Sequence, residues 1–394
     1  MIPRTLMQIL HESIQQYPVI SVTGPRQSGK TTLCRAAFPD YVYFTLERPD
    51  NYEMVLGDPV GFLNRVGRDG VIIDEAQRMP ELFSYIQAFV DESRLLGKII
   101  LTGSQNFLLS DSISQTLAGR VRILRLLPFS VEEISNNEEY RGKTIDEILF
   151  TGLYPPLYDR QVPPNDWYNN YIETYLERDV RNVKNITDLH QFQKFIGLCA
   201  GRIGQLLNMS SLASDLGVAS HTVKSWLGVL EASYLIVLLQ PHYNNLNKRI
   251  VRQPKLYFLD TGLACALAKI DSPRTLERHY LRGSLFENLA VTEYFKFIFN
   301  RGLPPNLYFW RDNHGTEIDM VIDNGALYAV EIKSGETFNG EMLKGLRSWK
   351  RLTGATKERC ALLYGGKEIR FSPEAEIVSL GNLHAWFAGL SGKS

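Results

Sequence analysis

The stretch GPRQSGKT, residues 24–31, decides the fold of the N-terminal part of the chain. It fits the pattern G-x-x-x-x-G-K-[ST], follows the apolar run Val19–Thr23 and precedes the helix-forming residues Thr32–Ala37. Glycines in this pattern let backbone N–H groups converge on phosphate oxygens, and the start of the helix adds a positive dipole. The motif therefore predicts a strand, a phosphate-binding loop and a helix in succession.

The residues of this loop have expected roles in binding ATP. Lys30 would bridge the β- and γ-phosphates, and the Thr31 hydroxyl would ligate Mg²⁺. The competing interpretation is a glycine-rich turn with an incidental lysine, which the strand–loop–helix context disfavours. The predicted nucleotide-binding residues are Gly24, Pro25, Arg26, Gln27, Ser28, Gly29, Lys30, Thr31 and Thr32.

Short apolar runs alternate with helix-length segments over roughly the first third of the chain. The runs are Val19–Thr23, Val42–Leu46, Val71–Ile73, Ile99–Thr102 and Val121–Leu126. This rhythm predicts an α/β domain with a mostly parallel sheet. Because the carboxyl ends of parallel strands face the ligand crevice, polar residues that follow these runs are candidate catalytic groups.

Five polar or charged residues next to these runs are candidates for catalysis or for binding magnesium. Asp74 and Glu75 end the third run, which places Asp74 near Mg²⁺ and Glu75 where it can orient and deprotonate the attacking water. Ser104, or else Thr102, stands where ATPases of the AAA type keep a polar residue that senses the γ-phosphate; helix capping by Ser104 is the alternative. Arg120 precedes the fifth run and is either an arginine finger, a phosphate sensor or half of a surface ion pair.

The middle of the chain contains a helix–turn–helix pattern in residues 210–236. Two apolar runs, Val237–Leu239 and Lys255–Leu259, then predict the strands of a wing. In one interpretation a recognition helix lies in the major groove of DNA while the basic segment Lys248–Lys255 holds phosphates. In the other, the winged helix is a packing module that relays the state of the ATPase. The candidate base-contacting residues are Ser220, His221, Thr222 and Lys224.

A set of charged residues near the C-terminus forms a further pattern. Glu287 lies on a predicted helix, Asp319 on a strand, and Glu331 and Lys333 on the next strand. The order Glu…Asp…Glu-x-Lys resembles the PD-(D/E)XK nuclease core, in which carboxylates hold one or two Mg²⁺ ions and the lysine stabilises charge. The alternatives are a surface hairpin with solvated charges and a nuclease fold that has lost its activity.

The register of the predicted hairpin tests this pattern. Side chains alternate between the faces of a strand, so Asp319 and Glu331 share a face only if the loop has an odd number of residues. A three-residue loop, Asp323–Gly325, satisfies this condition, whereas a two-residue turn would separate the carboxylates. Burial of the apolar residues on the opposite face favours the three-residue loop.

Segments along the whole chain are similar to a group of prokaryotic AAA-type ATPases whose C-terminal half carries a domain of unknown function. In the first third they are GPRQSGKT, TLERPD, VIIDEAQ, LTGSQ and LAGRV. In the remainder they include YLERDV, PKLYFLDTGL, GSLFENLAVTEYF, FWRDNHGTEIDMVI and AVEIKSG. The resemblance implies ATP binding, a winged-helix middle and a nuclease-like C-terminal fold, and it implies no known cellular task.

The expected fold class is α/β, with four successive parts. These are a P-loop AAA-type ATPase domain over residues 1–135, a helical linker or lid over 136–185, a winged-helix domain over 186–273 and an α/β PD-(D/E)XK nuclease-like domain over 274–394. The chain has 43 Lys and Arg against 43 Asp and Glu residues, which excludes coating of nucleic acid by bulk positive charge but allows a local basic patch.

Cysteine usage and apolar runs indicate the compartment. The four cysteines form no C-x-x-C pair, which indicates neither a disulfide framework nor a cysteine zinc site. The N-terminus lacks the apolar core of a signal peptide, and no apolar run is long enough to cross a bilayer. We therefore expect a cytoplasmic protein with no membrane partner.

Together these patterns predict an Mg²⁺-dependent ATPase with winged-helix and nuclease-like modules that acts on or near DNA. The expected cofactors are ATP and Mg²⁺. The alternative is an ATP-dependent regulatory switch whose C-terminal domains bind a protein partner, with no nuclease activity.

Overall fold

A computed structural model describes residues 2–104, 116–175, 188–242, 252–368 and 370–391. Five parallel strands form the N-terminal sheet: β1 Val19–Thr23, β2 Val42–Thr45, β3 Val71–Asp74, β4 Ile99–Gly103 and β5 Val121–Arg125. Their order across the sheet is β2-β3-β4-β1-β5. All five strands predicted from the apolar runs are present, with ends that differ by at most one residue. The order places β1, which leads into the phosphate loop, between β4 and β5.

Both faces of this sheet are covered by helices. Alternate residues of one strand enter different cores: Val19 packs with Phe62 and Ile86, whereas Ile20 packs with Leu6 and Leu33. Burial on both faces explains why the strands are nearly continuous apolar runs. The covering helices are Leu6–Ser13, Lys30–Ala37, Pro49–Gly57, Pro59–Val66 and Leu82–Ser93.

The middle of the chain is helical and carries one small sheet. Its helices are Val131–Ser135, Ile145–Thr151, Pro155–Asp159, Pro164–Tyr171, Leu189–Ala200, Met209–Leu216, Ser220–Ala232, Thr261–Leu267 and Pro273–Glu277. Strands β6, Ile236–Leu239, and β7, Lys255–Phe258, pair antiparallel. Residues 248–251 of the predicted phosphate-holding segment lie outside the described residues.

The C-terminal part is a second five-stranded sheet with helices on both faces. The helices are Arg282–Phe299, Lys344–Thr353 and Leu383–Ser391, and the strands are β8 Leu307–Arg311, β9 Glu317–Asp323, β10 Leu327–Lys333, β11 Cys360–Tyr364 and β12 Glu376–Ser379. The order is β12-β11-β10-β9-β8. The β8–β9 and β9–β10 pairs are antiparallel, whereas the β10–β11 and β11–β12 pairs are parallel.

The β9–β10 hairpin has the predicted parity but closes one residue further along the chain. Asp323 pairs with Leu327, so the loop is residues 324–326 and not Asp323–Gly325. Asp323 stays in the strand because its N–H donates to Asn306 O at 3.0 Å and its carbonyl accepts from Asn306 Nδ2 at 2.8 Å. Gly325, with a φ of 71°, takes the left-handed position in the loop.

Buried polar contacts join the three parts. At the end of β1, Thr23 Oγ1 lies 2.8 Å from the hydroxyl of Tyr234, which stands just before β6. Glu293, on the helix Arg282–Phe299, accepts from the backbone N–H of Val131 at 2.8 Å. The phosphate loop and both later parts are therefore connected through the interior of the molecule. Among the described residues, no helix combines the length and apolar character needed to cross a membrane.

Candidate ATP-binding site and carboxylate cluster

The loop between β1 and the helix Lys30–Ala37 is shaped to surround a phosphate. Gly24 has a φ of 151°, and a Cβ there would lie 2.1 Å from the carbonyl oxygen of Leu126, so the close approach to the chain after β5 requires glycine. Gln27 also lies in the left-handed region, with a φ of 67°. The helix begins at Lys30, two residues earlier than predicted, so Lys30 and Thr31 stand in its first turn.

Lys30 turns back into the loop. Its ammonium donates to the carbonyl oxygens of Gly24, at 3.0 Å, and Pro25, at 2.8 Å. Burial lowers the pKa of Lys30 to about 8, against the opposing effect of the Glu75 and Asp74 carboxylates. A phosphate entering the loop would offer this buried ammonium a full counter-charge in place of two carbonyl dipoles.

Asp74, at the end of β3, accepts hydrogen bonds from three hydroxyl groups. Its carboxylate accepts from Thr31 Oγ1 at 3.1 and 3.2 Å, from Tyr43 at 2.8 Å and from Thr102. Thr31 and Asp74 thus present adjacent oxygen donors at the mouth of the phosphate loop. Hard oxygen donors of this kind fit Mg²⁺.

Glu75 follows in a strained conformation, with a φ of 54°. Its Oε2 accepts from Ser104 Oγ at 3.3 Å and from the side-chain amide of Gln77. Burial raises the pKa of Glu75, with Lys30 opposing the shift. The structure therefore brings Ser104 and Glu75 together beside Lys30, and it adds Gln77, which sequence reasoning missed although Gln77 stands two residues after Glu75.

A cavity of about 600 Å³ opens from the loop. Besides the loop, the cavity is lined by residues that sequence reasoning did not assign to the site. They include Ile2, Arg4 and Met7 from the N-terminal segment, Phe129 from the chain after β5, and Tyr140, Pro156 and Tyr158 from the helical linker. Arg4 secures the N-terminal segment by donating to the carbonyl oxygens of Ser28, at 3.2 Å, and Leu127, at 2.6 Å. These contacts span 24 and 123 residues, which is why no local motif revealed them.

Arg120 lies at the opposite edge of the sheet. Its backbone carbonyl accepts from Val19 at the start of β1, whereas the phosphate loop follows the end of β1. Its guanidinium makes a two-pronged pair with Asp91, at 2.6 and 2.8 Å. Within one chain Arg120 therefore forms a surface ion pair with Asp91, which is one of the roles considered for it from the sequence. Its roles as an arginine finger or a phosphate sensor stay predictions.

The C-terminal carboxylates form a cluster with a membership that differs from the predicted one. Glu287, Glu317 and Asp319 each offer an oxygen, and these atoms lie within 4.8 Å of one another. The ammonium of Lys255, from β7, is 2.9 Å from Glu287 Oε1 and also contacts Glu317. Glu317 was not predicted as a ligand. The available signal was its spacing of two residues from Asp319, which puts both side chains on the same face of the strand.

Glu331 and Lys333 stand beside this cluster. When the pairing of β9 and β10 is continued by one residue, Asp319 lies opposite Glu331, whereas the predicted loop Asp323–Gly325 would have made the two residues diagonal neighbours. Lys333 Nζ is 2.6 Å from Glu331 and 3.8 Å from Asp319. Burial and the charge of Asp319 raise the pKa of Glu331 to about 8. Glu287 and Asp319 thus meet as expected, while Glu331 is held by Lys333.

The helix–turn–helix residues form a solvent-facing row. Ser220, His221 and Lys224 are exposed and Thr222 is half-buried at the start of the helix Ser220–Ala232. Ser220 is the first helical residue, and Ala219 holds the N-cap position.

Family comparisons divide the chain into three matched regions. Residues 16–135 match a family described as AAA domain. Residues 142–274 and 282–383 match two domains of unknown function, DUF8612 and DUF4143. The parallel sheet with its phosphate loop, together with the first match, defines an AAA-type P-loop ATPase.

The uncharacterized proteins Rv2008c of Mycobacterium tuberculosis and Mb2031c of Mycobacterium bovis are each 30% identical to this chain over 376 residues, 94% of this chain and 81% of theirs. The chain therefore belongs to the family of these mycobacterial proteins. Among solved structures, a Walker-type ATPase of Pyrococcus abyssi is 16% identical, with a TM-score of 0.47 over 66% of this chain and 94% of its own. The RuvB Holliday junction branch migration motor of Thermotoga maritima is 17% identical, with a TM-score of 0.30 over 59% and 88%.

Proposed function

We propose that this protein is an Mg²⁺-dependent ATPase whose winged-helix and nuclease-like modules act on or near DNA. The observation that carries the proposal is the convergence of Lys30, the Thr31–Asp74 pair and the Glu75–Ser104 pair at the carboxyl edge of one parallel sheet. The domains proposed are 1–135 for the ATPase, 136–185 for the linker, 186–273 for the winged helix and 274–394 for the nuclease-like part.

Each of these side chains has a task in hydrolysis. Lys30 exchanges its two carbonyl partners for phosphate oxygens when ATP enters the loop. Thr31 and Asp74 would hold Mg²⁺, which would neutralise charge on the β- and γ-phosphates. Glu75 orients the attacking water and takes its proton, and Ser104, as the partner of Glu75, holds that carboxylate in place and reports on the γ-phosphate.

Two observations support the DNA-directed part of the proposal. The helices Met209–Leu216 and Ser220–Ala232 followed by the β6–β7 hairpin have the succession of a winged helix, and the exposed row that includes Lys224 is free to meet a phosphate backbone. In the C-terminal sheet, a helix carboxylate meets strand carboxylates, with Lys333 alongside, as in a metal-dependent nuclease core.

The test is ATP turnover by the full chain with and without DNA, followed on the same DNA by a gel for cleavage. We expect DNA to stimulate turnover, and Lys224→Ala to reduce that stimulation while leaving basal turnover unchanged. Asp74→Asn provides the inactive control. Turnover that ignores single-stranded, duplex and branched DNA, together with no Mg²⁺- or Mn²⁺-dependent cleavage, would overturn the DNA-directed part and leave the ATPase assignment standing.

The second candidate is a regulatory switch in which ATP reorients the later domains toward a protein partner, without cleavage. The observation that favours it is that two carboxylates of the cluster, Glu287 and Glu317, are already paired with Lys255. Absence of DNA affinity at low salt, combined with a stable protein complex that forms only with ATP, would select this candidate over the first.

A further inference from the structure

The carboxylate cluster of the C-terminal sheet contains a lysine from another part of the chain. Lys255 belongs to β7, 32 residues before Glu287, and its side chain is 2% exposed. A lysine buried to this extent requires a counter-charge. Glu287 supplies it from the helix Arg282–Phe299, and Glu317 supplies it from β9.

The surroundings hold this ammonium in place. Tyr257, two residues further along β7, donates its hydroxyl to the same Glu287 Oε1 at 2.6 Å. The ring of Phe309 lies 5.6 Å from Lys255 Nζ. The ammonium therefore lies among carboxylates, a tyrosine hydroxyl and an aromatic ring.

The same oxygen atoms would be needed by a divalent cation. An ion such as Mg²⁺ or Mn²⁺ takes carboxylate oxygens at roughly 2.0–2.6 Å and must approach between them. Glu287 Oε1 already accepts from both Lys255 and Tyr257, and Glu317 Oε2 is 2.8 Å from Arg311. The ammonium and a divalent cation therefore compete for these carboxylates.

We propose that Lys255 fills the cation position of the Glu287–Glu317–Asp319 cluster, so that a divalent cation binds there only when the ammonium is displaced. The inference rests on the metal site of the proposed function and adds its regulation. Strand β7 holds the ammonium at this position, because the strand is buried, pairs with β6 on one side and bonds to the backbone of residues 204–207 on the other.

Mn²⁺ binding to the nucleotide-free full chain tests this directly by isothermal titration. All proteins carry Asp74→Asn, which removes the carboxylate of the ATP site. We expect Lys255→Met to bind Mn²⁺ at least about tenfold more tightly than its parent, because methionine keeps the length of the side chain without its charge. Lys333→Met is the matched control and gains less, since Lys333 lies at the margin of the cluster. Adding Glu287→Gln to Lys255→Met removes the gain.

The outcomes separate this inference from the proposed function. Equal Mn²⁺ affinity in parent and Lys255→Met overturns the inference and leaves the metal site. No binding in either protein overturns the metal site and the inference with it. As a measurement independent of any variant at Lys255, amide hydrogen exchange of residues 255–258 in the parent must accelerate when Mn²⁺ binds, because β7 then loses the ion pair between Lys255 and Glu287. Unchanged exchange at saturating Mn²⁺ contradicts the displacement of the ammonium.

Discussion

At the scale of single residues, Lys30 is the side chain on which nucleotide binding depends most. Lys30→Ala removes one charge-assisted contact to phosphate, worth roughly 1.5–3 kcal/mol, so we expect a tenfold to hundredfold loss of ATP affinity. Titration calorimetry measures it, with the exposed Lys344→Ala as the control. Ordinary ATP affinity in a folded Lys30→Ala protein would refute the assignment of the loop.

Glu75 is expected to act in the chemical step and not in binding. Glu75→Gln should bind ATP normally and hydrolyse it about 10²- to 10⁴-fold more slowly, because an amide cannot accept the proton of the water. Asp74→Asn should weaken Mg²⁺-dependent binding as well. The control is Glu47→Gln, since Glu47 is a half-exposed carboxylate that pairs with Arg26 and Arg78. Normal turnover by Glu75→Gln with slow turnover by Glu47→Gln would transfer the role of base to Glu47.

What the sequence reveals at this scale depends on distance along the chain. Lys30, Thr31, Asp74 and Glu75 belong to short segments whose strand and loop contexts are local, so their positions were predictable. The position of Lys255 was not predictable. The sequence placed it in a basic segment expected to hold phosphates, whereas it is buried against carboxylates that come from two other elements.

At the scale of elements, the helix Thr261–Leu267 is fixed by a buried cap. Asp260 accepts from the N–H groups of Leu263, at 2.9 Å, and Leu153, at 2.7 Å, and from the hydroxyl of Tyr168. It thereby ties the element after β7 to the linker that borders the ATP cavity.

Asp260→Ala should destabilise the protein far more than the loss of an ordinary cap. An exposed N-cap such as Asp58 contributes about 0.5–2 kcal/mol, whereas each buried donor left without a partner costs a further ~1–3 kcal/mol. The measurement is the thermal midpoint of Asp260→Ala compared with Asp58→Ala, which caps Pro59–Val66 through Gly61 N. Equal shifts for the two variants would show that the buried contacts of Asp260 contribute nothing.

The hairpin of β9 and β10 shows how far pattern alone determines an element. Alternation of polar and apolar residues fixes which residues share a face, since a slip of one residue would bury the charges. It does not distinguish two loops with the same parity. The choice between them comes from Asn306, on the neighbouring chain segment, which holds Asp323 in the strand.

At the scale of the whole molecule, a charge network joins the helix Val131–Ser135 to two helices of the C-terminal part, Arg282–Phe299 and Leu383–Ser391. His384 lies 2.8 Å from Glu293 and 3.0 Å from Glu132, and Lys296 is 2.8 Å from Glu293. Burial opposes the charge on His384, but the two carboxylates raise its pKa to about 9. Burial likewise opposes the charge on Glu293, yet Lys296 and His384 lower its pKa to about 2.

The sign of each shift sets the pH dependence of stability. The contribution of His384 is complete below about pH 6.5, its value in the unfolded chain, and is lost as pH rises through about 9, on the order of 3 kcal/mol in all. The contribution of Glu293 is complete above about pH 4.5 and is lost as pH falls toward 2. Denaturation midpoints from pH 6 to 10 should fall in the parent and in the exposed-histidine control His11→Gln, and flatten in His384→Gln. A parallel fall in all three would exclude His384 as the source.

The stack of Trp167 on Tyr171, with ring centres 4.9 Å apart and planes inclined by 17°, has a practical consequence. The hydroxyl of Tyr171 lies 3.4 Å from the carbonyl oxygen of Arg26, inside the phosphate loop. Indole emission responds to the distance and orientation of a stacked neighbour, so a loop that rearranges around phosphate changes the brightness of Trp167. ATP titrated into the parent should shift its emission, and Trp167→Phe should abolish that shift while calorimetry still registers binding. The fluorescence of Trp167 is thus expected to report whether the phosphate loop holds a nucleotide.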